Sequence, residues 1–311
     1  MRRIVLAGVL TALLAGCGGE SPPTESTPAP TKTIDAEKAQ QKPAKPPKKP
    51  AKQQLPLGGT AIFPTYRVVA YYGTAGSGTL GVLGEAAPDK MLPKLRKAAR
   101  GFAGGRKVQV AYELIATVAQ AKPGKDGDYS RMIDERKIQQ YVDHARKNKV
   151  LVILDLQPGR GNFLPQAKRL EKFLVQPHVG LALDPEWRMP QGKVPGKTIG
   201  TVSASEVNGV SAYVSGLVAR HGLPEKLFVL HQFRTSMLPD VQRVAKRPGL
   251  ALVQHVDGFG TRSEKNATWK RLRRPQQFHM GYKLFYDEDV KRYQAKDVLR
   301  FKPVPELVSY Q

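Results

Sequence analysis

Short apolar runs recur along the chain, and most of them stop on an ionisable side chain. Val179–Leu183 is the plainest: Val-Gly-Leu-Ala-Leu is too short for a helix and lacks the alternation of a strand with one wet face. It predicts a strand covered on both sides, as in parallel sheets. Asp184-Pro185-Glu186-Trp187 follows, and the proline ends the ladder by removing a donor. Two residues apart, Asp184 and Glu186 are expected on one side. The run at 108–112 ends on Glu113, that at 150–154 on Asp155 and that at 227–230 on His231. The run at 250–256 contains His255 and stops on Asp257, with both side chains in the same parity. Residues 66–72, 278–286 and 306–310 complete a set of eight strands.

Helical periodicity fills most gaps. Helices are expected over 89–102, 130–149 and 164–174, the second with Ile138, Tyr141, Val142 and Ala145 on one face. Another starts at Ser203, where Ser203-Ala204-Ser205-Glu206 fits a capping box, and ends at His221-Gly222. Helix-length polar segments separate the later strands. Eight strands alternating with helices over about 250 residues predict an α/β fold, a (β/α)8 TIM barrel. An open doubly wound sheet is the alternative, but the first strand carries no dinucleotide fingerprint. The Gly-rich stretch at 73–81 lacks the Gly-Lys-Ser/Thr ending of a phosphate loop and reads as a flexible rim. Asp126-Gly127-Asp128 reads as a turn, because the other ligands of a calcium loop are missing.

The first residues have a different character. Met1-Arg2-Arg3 is basic, the apolar run at 4–14 is too short for a typical membrane span, and Leu14-Ala15-Gly16-Cys17 follows. This resembles the bacterial lipoprotein signal, which implies a signal peptide over 1–16 and lipid on Cys17. Cys17 is the chain's single cysteine, so an intramolecular disulfide and a thiolate metal cluster are both excluded. Residues 18–57 contain nine prolines, seven lysines and no aromatic residue, which predicts a disordered tether over 17–58 and a folded domain over 59–311. The resemblance places the domain on the extracytoplasmic face of a cell membrane, where ATP and NAD are not at hand, and no cofactor is expected.

The chain's net charge is +24, and residues 58–311 alone carry +19. Such a domain is drawn to polyanions, which outside a membrane are lipid headgroups or acidic wall polymers. No nucleic-acid motif accompanies the charge, so nucleic acid is not an expected partner. A monomer is expected, bound to the membrane through the lipid on Cys17.

In a parallel barrel the acids at the strand ends converge on one mouth. Carboxylates crowded together push one pKa up and leave another ionised, the pairing that glycosidic cleavage uses. The opening segment, residues 180–187, resembles the fourth-strand signature of family 18 chitinase-type glycoside hydrolases, Asp-Gly-x-Asp-x-Asp-x-Glu. Val179 and Ala182 stand where that family has its first two aspartates. The resemblance implies that Glu186 is the general acid and Asp184 the carboxylate preceding it. Asp257 or Glu113 is the expected second carboxylate. Asp155, His231 and His255 are expected to support substrate binding, together with the aromatics Trp187, Tyr71 and Tyr112. The expected partner is therefore a polysaccharide or other envelope glycan. Two alternatives stay open. A barrel that only holds polysaccharide needs the aromatics but not the acids in register. A metal-dependent hydrolase or deacetylase would use Asp155, His231, His255 and Asp257 as ligands, although no His-x-His spacing occurs.

Overall fold

The computed structural model describes residues 53–311. The signal segment, the lipid on Cys17 and most of the expected tether lie outside the described residues. Eight parallel strands close into a barrel: β1 (Tyr66–Gly73), β2 (Lys107–Ala119), β4 (Leu151–Leu156), β5 (Val179–Leu183), β6 (Lys226–Gln232), β7 (Leu250–Val256), β8 (His279–Leu284) and β9 (Leu307–Tyr310). β1 pairs with both β2 and β9, which closes the ring. A short β3 (Ser130–Met132) runs antiparallel to the end of β2. The helices are α1 (Pro88–Ala99), α2 (Glu135–Lys147), α3 (Phe163–Arg169), α4 (Glu171–Leu174), α5 (Ala204–His221), α6 (Arg262–Leu272) and α7 (Ala295–Val298). The expected (β/α)8 barrel is the fold.

Alternation along each strand builds two cores. Outward residues such as Val69, Leu181, Leu183 and Phe228 join the shell beneath the helices. Inward residues such as Val68, Ala111, Ile153, Ala182, Val229 and Val253 fill the lower half of the barrel. The interior is packed there, as the fold requires. Gly180 on β5 lets the neighbouring strand approach, since a Cβ at that position would lie 2.5 Å from the Leu227 carbonyl oxygen.

Residues 53–58 are part of the folded unit, although their composition matches the tether. Leu55 and Ile62 are buried in the inner core with Phe63 and Tyr66. Gln53 N–H donates to Gly222 O at 2.9 Å, and the Tyr66 hydroxyl donates to Gly58 O at 2.9 Å. The chain thus crosses under the amino ends of the strands before β1.

Three connections depart from the expected pattern. Helix α2 begins at Glu135, not at 130, because residues 130–132 pair with β2 and the Asp134 side chain caps the helix by accepting from Arg136 N–H at 2.9 Å. Between β6 and β7 there are only two single 3-10 turns, at 235–237 and 241–243, in a segment interrupted by Pro239 and Pro248. The link from β8 to β9 holds only the four-residue α7. At α5 the capping box is half formed: Ser203 accepts from Glu206 N–H, but the Glu206 carboxylate accepts from Phe163 N–H at 3.0 Å and from Arg188 Nε at 3.2 Å. Asp126-Gly127-Asp128 is a turn, with Asp126 Oδ1 accepting from Asp128 N–H at 3.1 Å.

Candidate active site

Above the apolar half of the barrel the inward positions turn polar. Tyr72, Glu113, Asp155, His231, His255 and Ser309 follow Ala70, Ala111, Ile153, Val229, Val253 and Leu307 by two residues each, so the same parity that fills the core below delivers them to the interior. Glu113, Asp155, His231 and His255 are all fully buried. Gly281 on β8 makes room for the His255 ring, because a Cβ there would lie 2.6 Å from His255 Cδ2.

His231 is the hub. Its Nδ1 is 2.9 Å from Asp257 Oδ2 and its Nε2 is 2.9 Å from Glu113 Oε1. Burial and the nearby Lys283 ammonium both act against charge on this ring, yet Glu113 and the hydrogen bond to Asp257 outweigh them and hold its pKa well above the ordinary value. Burial likewise opposes ionisation of Glu113, but His231 overrides it and brings the carboxyl to about 2. For Asp257 burial is again outweighed, by the His231 hydrogen bond and then Lys283, and its pKa falls to about 2. An imidazolium clamped between two carboxylates is the arrangement that results.

The other acids behave oppositely. Burial, offset in part by His231 and reinforced by Glu113, raises Asp155 to about 6. Its Oδ2 accepts from the Tyr72 hydroxyl at 3.1 Å, and Gln157 Nε2 donates to that hydroxyl at 3.2 Å. Burial pushes Asp184 well above the usual carboxylate range. Burial and then the charge of Asp257 raise Glu186 from 4.5 to about 7. The Glu186 carboxylate has no hydrogen-bond or ion-pair partner among the described residues. His255 is held down to about 3 by burial and then by His231, so its ring is neutral; Nε2 faces Ser309 Oγ at 3.1 Å and Nδ1 has no partner among the described residues.

Asp184, Glu186 and Asp257 open onto one cavity of about 690 Å³ at the carboxyl end of the barrel, which Trp187, Phe233, Phe259 and Phe285 also line. The Asp184–Glu186 juxtaposition is not made by strand parity. β5 ends at Leu183, and Asp184 caps a 3-10 turn at Pro185–Trp187 by accepting from Glu186 N–H at 3.2 Å. The turn lifts Glu186 to the rim, half-buried, while Asp184 stays buried beneath it.

Two expected aromatics are elsewhere. Tyr71 and Tyr112 are register partners on β1 and β2 and face outward into the helix shell. The Tyr112 hydroxyl reaches Pro88 O and His144 Nδ1, and that of Tyr71 meets the Tyr286 hydroxyl at 3.2 Å. Their neighbours Tyr72 and Glu113 are the inward pair. Parity could have told them apart, since a residue adjacent to an inward acid must face outward. Lys283 was not foreseen. It lies 3.8 Å over the Tyr72 ring, 3.7 Å from Asp257 Oδ2 and 3.2 Å from Gln311 Oε1. The sequence signal for it is a lysine set between Tyr282 and Leu284 in the eighth strand.

One group in this cluster has the composition of a metal site: donor atoms of His231, His255 and Asp257 all lie within 4.8 Å of one another. Two imidazoles and a carboxylate suit zinc. Compared with protein-family models and with curated protein sequences, the chain matches none.

Proposed function

We propose that the protein is a glycoside-hydrolase-like enzyme acting on a cell-envelope or environmental polysaccharide, with Glu186 as general acid and Asp257 as the ionised second carboxylate. The observation that carries this reading is that one open cavity holds both acids in unlike surroundings: Glu186 without a partner among the described residues, Asp257 tied to His231 and Lys283. A proton held on Glu186 can pass to the glycosidic oxygen as the bond breaks. Asp257 Oδ1, which has no partner among the described residues, is free to stabilise the cationic sugar or to orient water. The Glu113–His231 pair fixes the Asp257 carboxylate, so its negative charge is kept through the reaction. Trp187, Phe233, Phe259 and Phe285 offer flat apolar faces to sugar rings. The likeness of residues 180–187 to the family 18 signature puts Glu186 in the acid's place. In this reading the enzyme is held on the extracytoplasmic face of the membrane by lipid on Cys17; among the described residues no helix is long and apolar enough to cross a membrane.

The test is release of reducing sugar from wall and environmental glycans. Glu186→Gln and Asp257→Asn are each expected to lower turnover by about 10²-fold or more while leaving glycan binding. A Glu186→Gln protein as fast as its parent would remove the proposed acid.

A second reading, metal-dependent hydrolysis, is favoured by one observation: beside His231, His255 Nδ1 and Asp257 Oδ1 are buried without partners among the described residues. A cation there would take the Asp257-facing nitrogen of His231 and leave Nε2–H on Glu113, the way carboxylates commonly hold a metal-bound histidine. Activity lost to a chelator and restored by zinc would select this reading.

A further inference from the structure

We propose that the amino-terminal end of the barrel, opposite the cavity, is an electrostatic docking surface for a membrane bearing anionic phospholipids. This does not depend on what the cavity cleaves. Charge is segregated between the two ends. The loops at 100–107, 146–149, 244–249, 273–279 and 299–306 enter the strands at the amino end, and each carries exposed arginine or lysine. Their single carboxylate, Glu306, is already taken by Arg106 at 2.7 Å and His279 at 2.5 Å. Of the acids beside these loops, Asp143 is taken by Arg146 at 2.6 Å, and Glu225 accepts from Ile62 N–H at 2.6 Å. At the opposite end cations alternate with acids, as in Lys122, Lys125, Asp126 and Asp128 on one loop.

The basic end is also concave. A cleft of about 630 Å³ is lined by Arg106, Lys246, Arg247, Gln277 and His279. Arg247 is braced by Ser211 Oγ at 3.0 Å and Asn208 O at 3.3 Å, and Lys246 by Gln276 O at 2.9 Å, so these cations are held at the cleft rather than spread over the surface. Arg274 and Lys302 beside it, and Arg100 and Lys149 elsewhere on the same end, are exposed, and their side chains have no partner among the described residues. A cleft with a rim of free cations fits headgroup phosphates spread over a plane better than one buried anion.

The route of the chain selects a membrane over a soluble polymer. Residues 53–58 pass under this same end, so the described part of the chain, which 52 residues precede, begins there. A lipid on Cys17, as the proposed function has it, would join the domain from its basic side. With that face on the membrane, the cavity at the other end opens away from the lipid, towards a polymer substrate.

The test is cosedimentation of the full chain with vesicles of phosphatidylcholine alone and of phosphatidylcholine mixed with phosphatidylglycerol, at low and high salt. The parent is expected to prefer the phosphatidylglycerol vesicles and to lose that preference in high salt. Combined reversal of the amino end (Arg100→Glu, Lys246→Glu, Arg274→Glu, Lys302→Glu) is expected to weaken the preference by at least about tenfold. An equal reversal at the cavity end (Lys122→Glu, Lys125→Glu, Lys193→Glu, Lys197→Glu) is expected to leave most of it. All eight side chains are exposed, and unchanged thermal unfolding of both variants rules out misfolding as the cause. Equal losses in the two variants would show that net charge alone is at work and overturn the proposal. So would the absence of any phosphatidylglycerol preference, or tighter binding to soluble polyglycerol phosphate than to the vesicles.

Discussion

Glu186 and Asp257 are the same functional group with opposite proton affinities, and the difference comes from their neighbours. Asp257 has an imidazolium and an ammonium beside it; Glu186 has burial and the charge of Asp257. If Glu186 must deliver a proton, activity falls as pH rises through about 7, while Asp257 stays ionised down to about 2. A rate profile flat across pH 7 to 9 would contradict this. The same residue carries a stability signature. Its folded-state pKa is raised from 4.5 to about 7, so the native state keeps a proton that the unfolded chain has released. Stability attributable to Glu186 therefore declines as pH rises between those values. Glu186→Gln is expected to be more stable than the parent at pH 8, by on the order of 2 kcal/mol, and to converge with it at pH 4. Urea denaturation at the two pH values reads the difference, and an equal offset at both would argue against it.

At the scale of elements, strand parity decides which side chains reach the mouth and which support the helices. Tyr71 and Tyr112 stand one residue from Tyr72 and Glu113, and that single step moves them from the interior to the helix shell. β5 shows how tightly the strands are fitted. Gly180→Ala would set a methyl 2.5 Å from the Leu227 carbonyl oxygen and 3.1 Å from its Cβ, so β5 and β6 must separate. A loss of about 1–3 kcal/mol is expected, read as a lower thermal midpoint. β5 runs directly into the turn that holds Asp184 and Glu186, so turnover should fall along with stability. An unchanged midpoint would show that the two strands have slack.

For the whole molecule, the barrel's lower end is closed by residues that precede its first strand. Leu55 is 5% exposed and packs with Ile62, Phe63 and Tyr66 beneath the inner core. Leu55→Ala is expected to cost about 2 kcal/mol, measured by chemical denaturation, which a segment belonging to a loose tether would not show. One end of the molecule thus gathers apolar closure and cations, and the other gathers acids and aromatics.

Much of this was legible along the chain. The apolar runs at 179–183 and 150–154 marked strands because aliphatic sequences of that length bounded by proline, glycine or acids have few other uses, and eight of them spaced by helices point to one barrel. Glu113, Asp155, Asp184, His231 and Asp257 were marked by ending those runs, and His255 by lying inside one in the same parity as Asp257. What the sequence could not supply was anything depending on distant partners. It could not show that His231 sits between Glu113 and Asp257, 118 and 26 residues away, nor that Lys283 leans over Tyr72. Residues 53–58 read as tether because composition reports only local hydrophobicity, whereas burial depends on what the rest of the chain places against them. Periodicity along a strand is a local property and survives in the sequence; the proton affinity of a carboxyl is set by charges and burial across the barrel, and only the closed ring brings those into contact.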